Sequence, residues 1–378
     1  MKVDANQSNN WTTKYENEAE INLAHSTAAL FSFKDILDLN GGPEAFISQI
    51  EDEKLSYSSK KGFYILRDKV ASIYNEFISY ESILITNGCN NANFLAYYTF
   101  LEPADEIIII IPTWWPIMSV PSSFGCKVKF LFSKPEDAFI PDLDELAELI
   151  TQKTKMIVIT NPNNPSGAFM DASTLHDLIS IAEKTGIWIL CDEIYKGIES
   201  NSSICIPAIA ELYEKGLTTN SVSKTFGIPG IRIGWIAGSK FAIKQIRKRW
   251  DYIVGDYGFL DQRVAEIALD CYSHIMGLQR GIAIKNRKIL RNWVENEPMI
   301  ECPVLPVSGT TAFLKCQKDI DTRDFTVNLI KKTGTYVVPG AVYDKDGRFN
   351  NYFRIGYMNN SNELEKGLEN ITSFLKSI

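Results

Sequence analysis

Between residues 82 and 237, short apolar, β-branched runs alternate with longer segments whose apolar residues recur at helical spacing. The runs occupy residues 82–86, 106–111, 127–132, 155–160, 186–191, 217–222 and 232–237, and the clearest helical stretches are 142–152 and 171–185. A run that is apolar at every position, as 107–111 is, needs cover on both faces. Strands of that kind alternating with helices imply a parallel sheet between helical layers, an α/β fold.

At 378 residues the chain exceeds what one hydrophobic core usually serves, so two domains are expected. Residues 1–40 read as a polar arm with one amphipathic stretch near 31–39. Residues 41–275 read as a large domain, with helical patterning from 240 to 290. Residues 276–378 read as a smaller α+β domain, with strands near 311–316, 336–338 and 352–357 and a closing helix over 362–376. The arm is expected to pack with this C-terminal domain and over the active site.

The formal charge of −7 argues against a nucleic-acid binder, which would present a basic face. The seven cysteines (89, 126, 191, 205, 271, 302 and 316) include no CxxC pair and read as free thiols in a reducing, cytoplasmic compartment. The three histidines are too dispersed for a metal cluster, and no metal is expected. The first 13 residues have neither a basic nor an apolar region of the kind a secretory signal needs, and the longest apolar run, 107–112, is too short for a membrane span.

Three strand-end segments carry the chemistry. The first is Ser221-Val222-Ser223-Lys224-Thr225-Phe226-Gly227-Ile228-Pro229-Gly230-Ile231-Arg232-Ile233-Gly234-Trp235. A lysine amine at the C-terminal edge of an α/β sheet can form an imine with an aldehyde. Ser221, Ser223 and Arg232 can hold a phosphate by charge-assisted hydrogen bonds. In Cys191-Asp192-Glu193-Ile194-Tyr195, a buried Asp192 beside a pyridine nitrogen would keep that nitrogen protonated, and Tyr195 could reach a ring hydroxyl. Asn161-Pro162-Asn163-Asn164-Pro165-Ser166-Gly167 is a rigid turn that can present an amide edge.

In that order and spacing the three segments resemble the class I/II aminotransferases, pyridoxal 5′-phosphate (PLP) enzymes of fold type I. The resemblance runs from about Tyr57 to the C-terminus. It implies a large domain with a mostly parallel seven-stranded sheet, a smaller C-terminal domain, and PLP as cofactor. By resemblance, Lys224 is the Schiff-base lysine and proton shuttle, and Asp192 pairs with the pyridine nitrogen. Tyr195 and Asn164 contact the ring oxygen, and Asn164 also reaches the substrate carboxylate. Ser221, Ser223 and Arg232 bind phosphate. Thr86-Asn87-Gly88-Cys89-Asn90-Asn91-Ala92 matches the place where a helix opens onto that phosphate, so Gly88, Cys89 and Asn90 join the cofactor set. The Cys89 thiol itself reads as a buried group without chemistry. Trp114 matches the ring stacked on the cofactor, with Trp115 as a core residue. Tyr57 matches a tyrosine that reaches the neighbouring subunit's phosphate, which implies a homodimer. Arg354 matches the arginine that clamps the substrate α-carboxylate.

One segment departs from the ordinary pattern. Where the family has a glycine-rich turn, this chain reads Glu20-Ile21-Asn22-Leu23-Ala24-His25-Ser26-Thr27-Ala28-Ala29-Leu30. It resembles a smaller group of PLP enzymes acting on arginine or hydroxyarginine, the capreomycidine-synthase-like cyclases and the arginine oxidases. His25 and Glu16 match a histidine near the cofactor and an acid that meets the guanidinium in that group. Histidine suits proton transfer near neutral pH, and Glu20, Asp251 and Asp256 are further candidates for a cationic substrate. The expected reaction is cyclodehydration of a hydroxylated arginine to a cyclic guanidine amino acid. The alternatives are amino-group transfer to a 2-oxo acid and oxygen-dependent oxidation of arginine.

Overall fold

The computed structural model describes residues 7–57, 64–201, 204, 206–318, 320–344 and 346–377. Cys205 falls outside them, and the other six cysteines are free thiols.

All seven expected runs become strands of one sheet. Its order is Ile83–Thr86, Gly234–Ala237, Gly216–Ser221, Trp188–Asp192, Thr154–Thr160, Glu106–Ile111 and Lys127–Phe132. Gly234–Ala237 runs antiparallel to both neighbours, and the other pairings are parallel. Because side chains alternate across a strand, the isoleucine run divides between two cores. Ile107, Ile109 and Ile111 face one, with Val158 and Leu190, while Ile108 and Ile110 face the other, with Ile157 and Ile189. Each such side chain contributes about 1.5–3 kcal/mol by leaving water.

Helix Ala172–Thr185 covers the second face with Leu175, Leu178, Ile179 and Ala182, spaced one helical turn apart. Asp171 caps its start, accepting from Thr174 N at 2.9 Å, and Gly186 ends it at φ +68°. That glycine therefore belongs to the helix end rather than to the following strand, which begins at Trp188 and closes on Asp192. Similarly, Arg232 lies in the loop before the strand that starts at Gly234. The helical patterning after 240 resolves into Lys240–Trp250, Phe259–Asp270 and Tyr272–Asn296.

C-terminal to these, a second antiparallel sheet orders Val338–Pro339, Tyr352–Gly356, Thr311–Cys316 and Ile300–Glu301, flanked by helices Thr322–Thr333 and Ser361–Lys376. The N-terminal segment is less polar in place than in composition. Ile21–Asn22 pairs in parallel with Thr335–Tyr336, Tyr15 packs among Phe313, Tyr336 and Tyr343, and Leu23 is fully buried. Gly356 N donates to Leu23 O (2.7 Å) and Ala28 N to Lys224 O (3.0 Å). The segment thus bridges the second sheet and the loop after the first. Among the described residues no helix is long and apolar enough to cross a membrane.

Candidate active site

The C-terminal ends of Thr154–Thr160, Trp188–Asp192 and Gly216–Ser221 open onto a cavity of about 210 Å³, where open α/β sheets place their ligands. Lys224, Asp192, Asn164, Tyr195, Trp114 and Arg232 line it, with Ser221, Ser223, Cys89 and Asn90. The lysine is half-buried, and its loss of solvation pushes the amine down to about 8. Arg354 and Arg232 push in the same direction, against Asp192. Its Nζ donates to Ser26 Oγ at 3.0 Å and, more weakly, to Thr27 Oγ1 at 3.5 Å.

Asp192 is buried, and burial raises its carboxyl above the usual range. Three donors oppose that: Asn93 Nδ2 at 3.0 Å, Cys89 Sγ at 3.3 Å and Ile194 N at 3.2 Å. Burial, followed by the nearby Asp192 charge, pushes the Cys89 thiol well up, so it stays protonated and donates. Thr219 Oγ1 donates to Asn93 Oδ1 at 2.7 Å, which turns the amide's NH2 towards the carboxylate.

Helix Cys89–Phe100 begins at the cavity, its first N–H groups lacking intrahelical partners. Gly88 caps it at φ +78°, and a Cβ there would stand 2.5 Å from Arg232 Nη2. Arg232 Nη1 donates to Ser223 Oγ (3.2 Å) and Pro229 O (2.7 Å), while Ser223 N donates to Ser221 Oγ (3.1 Å). Asn164 joins the two ends of the site. Its Nδ2 donates to the Tyr195 hydroxyl at 3.0 Å, and its Oδ1 accepts from Arg354 Nη1 at 3.0 Å. Arg354 Nη2 donates to Ala24 O, and its buried Nε has no hydrogen-bond partner. Trp114 is half-buried at the cavity wall, whereas Trp115 is in the core.

His25 stands 3.6 Å from Glu16, both side chains partly exposed. Partial loss of solvation lowers the pKa of the imidazole. Glu16 opposes this, and Lys224 and Arg354 add to it. The other candidate acids lie elsewhere: Asp251 pairs with Arg247 at 3.1 Å, Glu20 packs beside Gly334, and Asp256 lines a separate open cleft with Tyr57. Tyr57 is 91% exposed on that cleft and does not line the cavity of its own chain.

Ser26, Thr27, Asn93 and Thr219 join the site without any motif that marks them. Asn93 carried a signal, since it lies four residues after Cys89 on one helix face. Ser26 and Thr27 carried none, because only the tertiary path of their segment brings them to Lys224.

A model of the aminotransferase class I and II family matches residues 42–371. The chain belongs to that family. In this class I and II aminotransferase fold the solved structures agree closely. A PLP-dependent aminotransferase from Streptococcus suis superposes with a TM-score of 0.94 at 35% identity, covering 100% of this chain and 99% of the other. Among curated relatives, capreomycidine synthase of Streptomyces vinaceus is 28% identical over 78% of this chain and 74% of its own length. Aspartate aminotransferase of Sulfolobus acidocaldarius is 26% identical over 85% of this chain and 83% of its own.

The protein is a PLP-dependent enzyme, and the cavity suits that cofactor. It offers an amine brought down to about 8, a buried carboxylate on its wall, and a cradle of hydroxyls, guanidinium and helix N–H groups kept open by Gly88. Arg354 stands behind Asn164, which lines the cavity and accepts from its Nη1.

Proposed function

We propose that this enzyme dehydrates and cyclises a hydroxylated arginine to a cyclic guanidine amino acid of the capreomycidine or enduracididine type. The observation that carries the reading is the His25–Glu16 pair, 3.6 Å apart, on the segment whose next residue touches Lys224. Similarity to capreomycidine synthase supports it.

PLP, once bound, supplies an electron sink for the bond broken at the substrate Cα. Asp192 would hold the proton on the ring nitrogen, and Ser221, Ser223, Arg232 and the N–H groups of Cys89 and Asn90 would hold the phosphate. Trp114 would lie against the ring, and Tyr195 and Asn164 would reach its oxygen. Arg354 and Asn164 bind the α-carboxylate, and Lys224 Nζ takes the Cα proton. Glu16 meets the guanidinium. With its pKa lowered, His25 is mostly neutral near pH 7 and accepts a proton from the guanidine nitrogen as that nitrogen closes onto the side chain. Exposed Tyr57 fits a homodimer in which it reaches the partner's phosphate, and the free thiols fit a cytoplasmic location.

Amino-group transfer is the second reading, favoured by the aspartate aminotransferases among the relatives. One screen separates the readings. Purified enzyme is given β- or γ-hydroxyarginine with and without a 2-oxo acid, and with and without oxygen. A dehydrated cyclic product without either co-substrate is expected. Turnover only with the 2-oxo acid establishes amino transfer instead, and oxygen uptake with arginine establishes an oxidase.

A further inference from the structure

We propose that Ser26 is a catalytic residue whose hydroxyl hydrogen points into the cavity and is donated to the side-chain oxygen of the substrate. A serine hydroxyl has one hydrogen to give and two lone pairs that receive. Both lone pairs are taken. Lys224 Nζ donates to Ser26 Oγ at 3.0 Å, and the Tyr195 hydroxyl donates to it at 3.4 Å. Asn164 Nδ2 occupies a lone pair of Tyr195, so Tyr195 meets Ser26 as a donor, and where its one hydrogen turns to the cofactor's ring oxygen Lys224 Nζ still donates to Ser26 Oγ. The hydrogen of Ser26 is therefore free to serve the cavity, whose wall Ser26 forms with Trp114 and Asn164.

The position is built rather than incidental. Thr310 Oγ1 donates to the Ser26 carbonyl at 2.9 Å, and Ala28 N holds the Lys224 carbonyl at 3.0 Å. Gly356 has no side chain where the His25 carbonyl passes, and any Cβ there would collide with it. Ser26 is thus clamped against the nitrogen that does the proton transfer.

The inference rests on the dehydrating reading and gives the departing hydroxyl its proton. Lys224 Nζ takes the Cα proton, and the C–H electron pair stays in the carbon framework. The resulting ammonium passes a proton to Ser26 Oγ as Ser26 gives its own hydrogen to the substrate oxygen. The carbon–oxygen bond breaks with its pair on oxygen, water leaves, and the Cα pair closes a carbon–carbon double bond. The proton removed is the proton returned, so no outside acid, oxidant or reductant is needed. Because Ser26 serves the same nitrogen that works at Cα, the hydroxyl it reaches is the one on the neighbouring carbon, a β-hydroxyl.

The test uses the holoenzyme and its Ser26→Ala and Ser26→Thr variants with β-hydroxyarginine in D2O, without a 2-oxo acid. Deuterium at Cα of recovered substrate reports Lys224, and dehydrated product reports the leaving group. Ser26→Ala is expected to lose about 10²-fold or more in product, the usual scale for a missing proton donor, and far less in Cα exchange. Ser26→Thr, which keeps a hydroxyl, restores product. In cofactor-free protein, the pH midpoint for acylation of Lys224 should fall in Ser26→Ala, because an acceptor that favours the ammonium is gone.

Wild-type product formation by Ser26→Ala overturns the proposal, as does a parallel fall in exchange and product. So does a raised KM with unchanged partition, which would mark Ser26 as a carboxylate contact. If the wild type exchanges Cα but forms no dehydrated product from either hydroxyarginine, the dehydrating reading fails, and the role of Ser26 as donor to a leaving group falls with it.

Discussion

Asn93 Nδ2 donates to Asp192 Oδ2 across 3.0 Å, and Thr219 Oγ1 holds the other end of that amide at 2.7 Å. Burial pushes the Asp192 carboxyl up, and Asn93 is the strongest of the groups that pull it back. Asn93→Leu removes that donor at similar size. The carboxyl should rise further, so less of it is ionised at neutral pH, and PLP affinity should fall by about 10- to 100-fold, the scale of a hydrogen bond to a charged group. Because the carboxylate re-forms as pH rises, affinity should recover towards alkaline pH. Absorbance titrations with PLP across pH check this, and unchanged affinity at neutral pH would show that Asn93 does not tune Asp192.

Lys224 provides a direct pH prediction. Its amine lies at about 8 rather than 10.5, so acylation of Lys224 in cofactor-free protein should rise with a midpoint near 8. After burial, Arg354 is the largest cause of that lowering, so Arg354→Gln should move the midpoint upward. Stability follows the same sign. A lowered folded-state pKa contributes stability that is present above 10.5 and lost as pH falls through about 8. Lys224→Met should abolish this loss, making its melting temperature less sensitive to pH in that window. Mass spectrometry of the labelled peptide and thermal melts are the measurements.

Gly88→Ala places a Cβ 2.5 Å from Arg232 Nη2 at a backbone φ of +78°. The strain costs about 1–3 kcal/mol, and the guanidinium must swing away from Ser223. Both the melting temperature and PLP affinity should fall. A lower melting temperature with wild-type affinity would remove Arg232 from the phosphate cradle.

His25→Ala should keep PLP affinity and lose about 10²-fold in cyclisation, the scale of a missing proton acceptor. The pKa of His25 is below 6.5, and Glu16 is the group that raises it. The acid limb of the rate profile should therefore lie below 6.5 in the wild type. It should move lower still in Glu16→Gln, which should also show a raised KM for cationic substrates. Rate profiles over pH test both parts, and a His25→Ala enzyme of full activity would remove the ring from the chemistry.

Much of this architecture was legible because local and tertiary demands coincide. The run from Ile107 to Ile111 needs cover on both faces, and the sheet supplies it. Lys224, Asp192 and Asn164 are readable because their three strand-end segments, in order and spacing, resemble the motifs of the class I/II aminotransferases. The strand limits shifted where glycine has two uses: Gly186 looked like the first residue of a strand and is a helix end at φ +68°. What composition concealed was the N-terminal segment. Its composition reads as a polar arm packed against the C-terminal domain, yet Leu23, Ala24 and Ala28 are buried, and backbone hydrogen bonds to Tyr336, Gly356 and Lys224 fix its course. Those partners are hundreds of residues away in sequence, so no local pattern could reveal that Ser26 meets Lys224.

The pairing of Ile21–Asn22 with Thr335–Tyr336, and of Leu23 with Gly356, imposes an order of events during synthesis. The central sheet is complete by Ala237, so the reactive lysine can be in its place while the ribosome is still making the rest. Ile21–Asn22 has no partner strand until Thr335–Tyr336 has been made. Closing such a distant contact is slow compared with local folding. Thr310, Thr335–Tyr336 and Gly356 all follow Ala237, so a chain interrupted before them would carry the amine without most of the frame that holds the Ser26 hydroxyl in place.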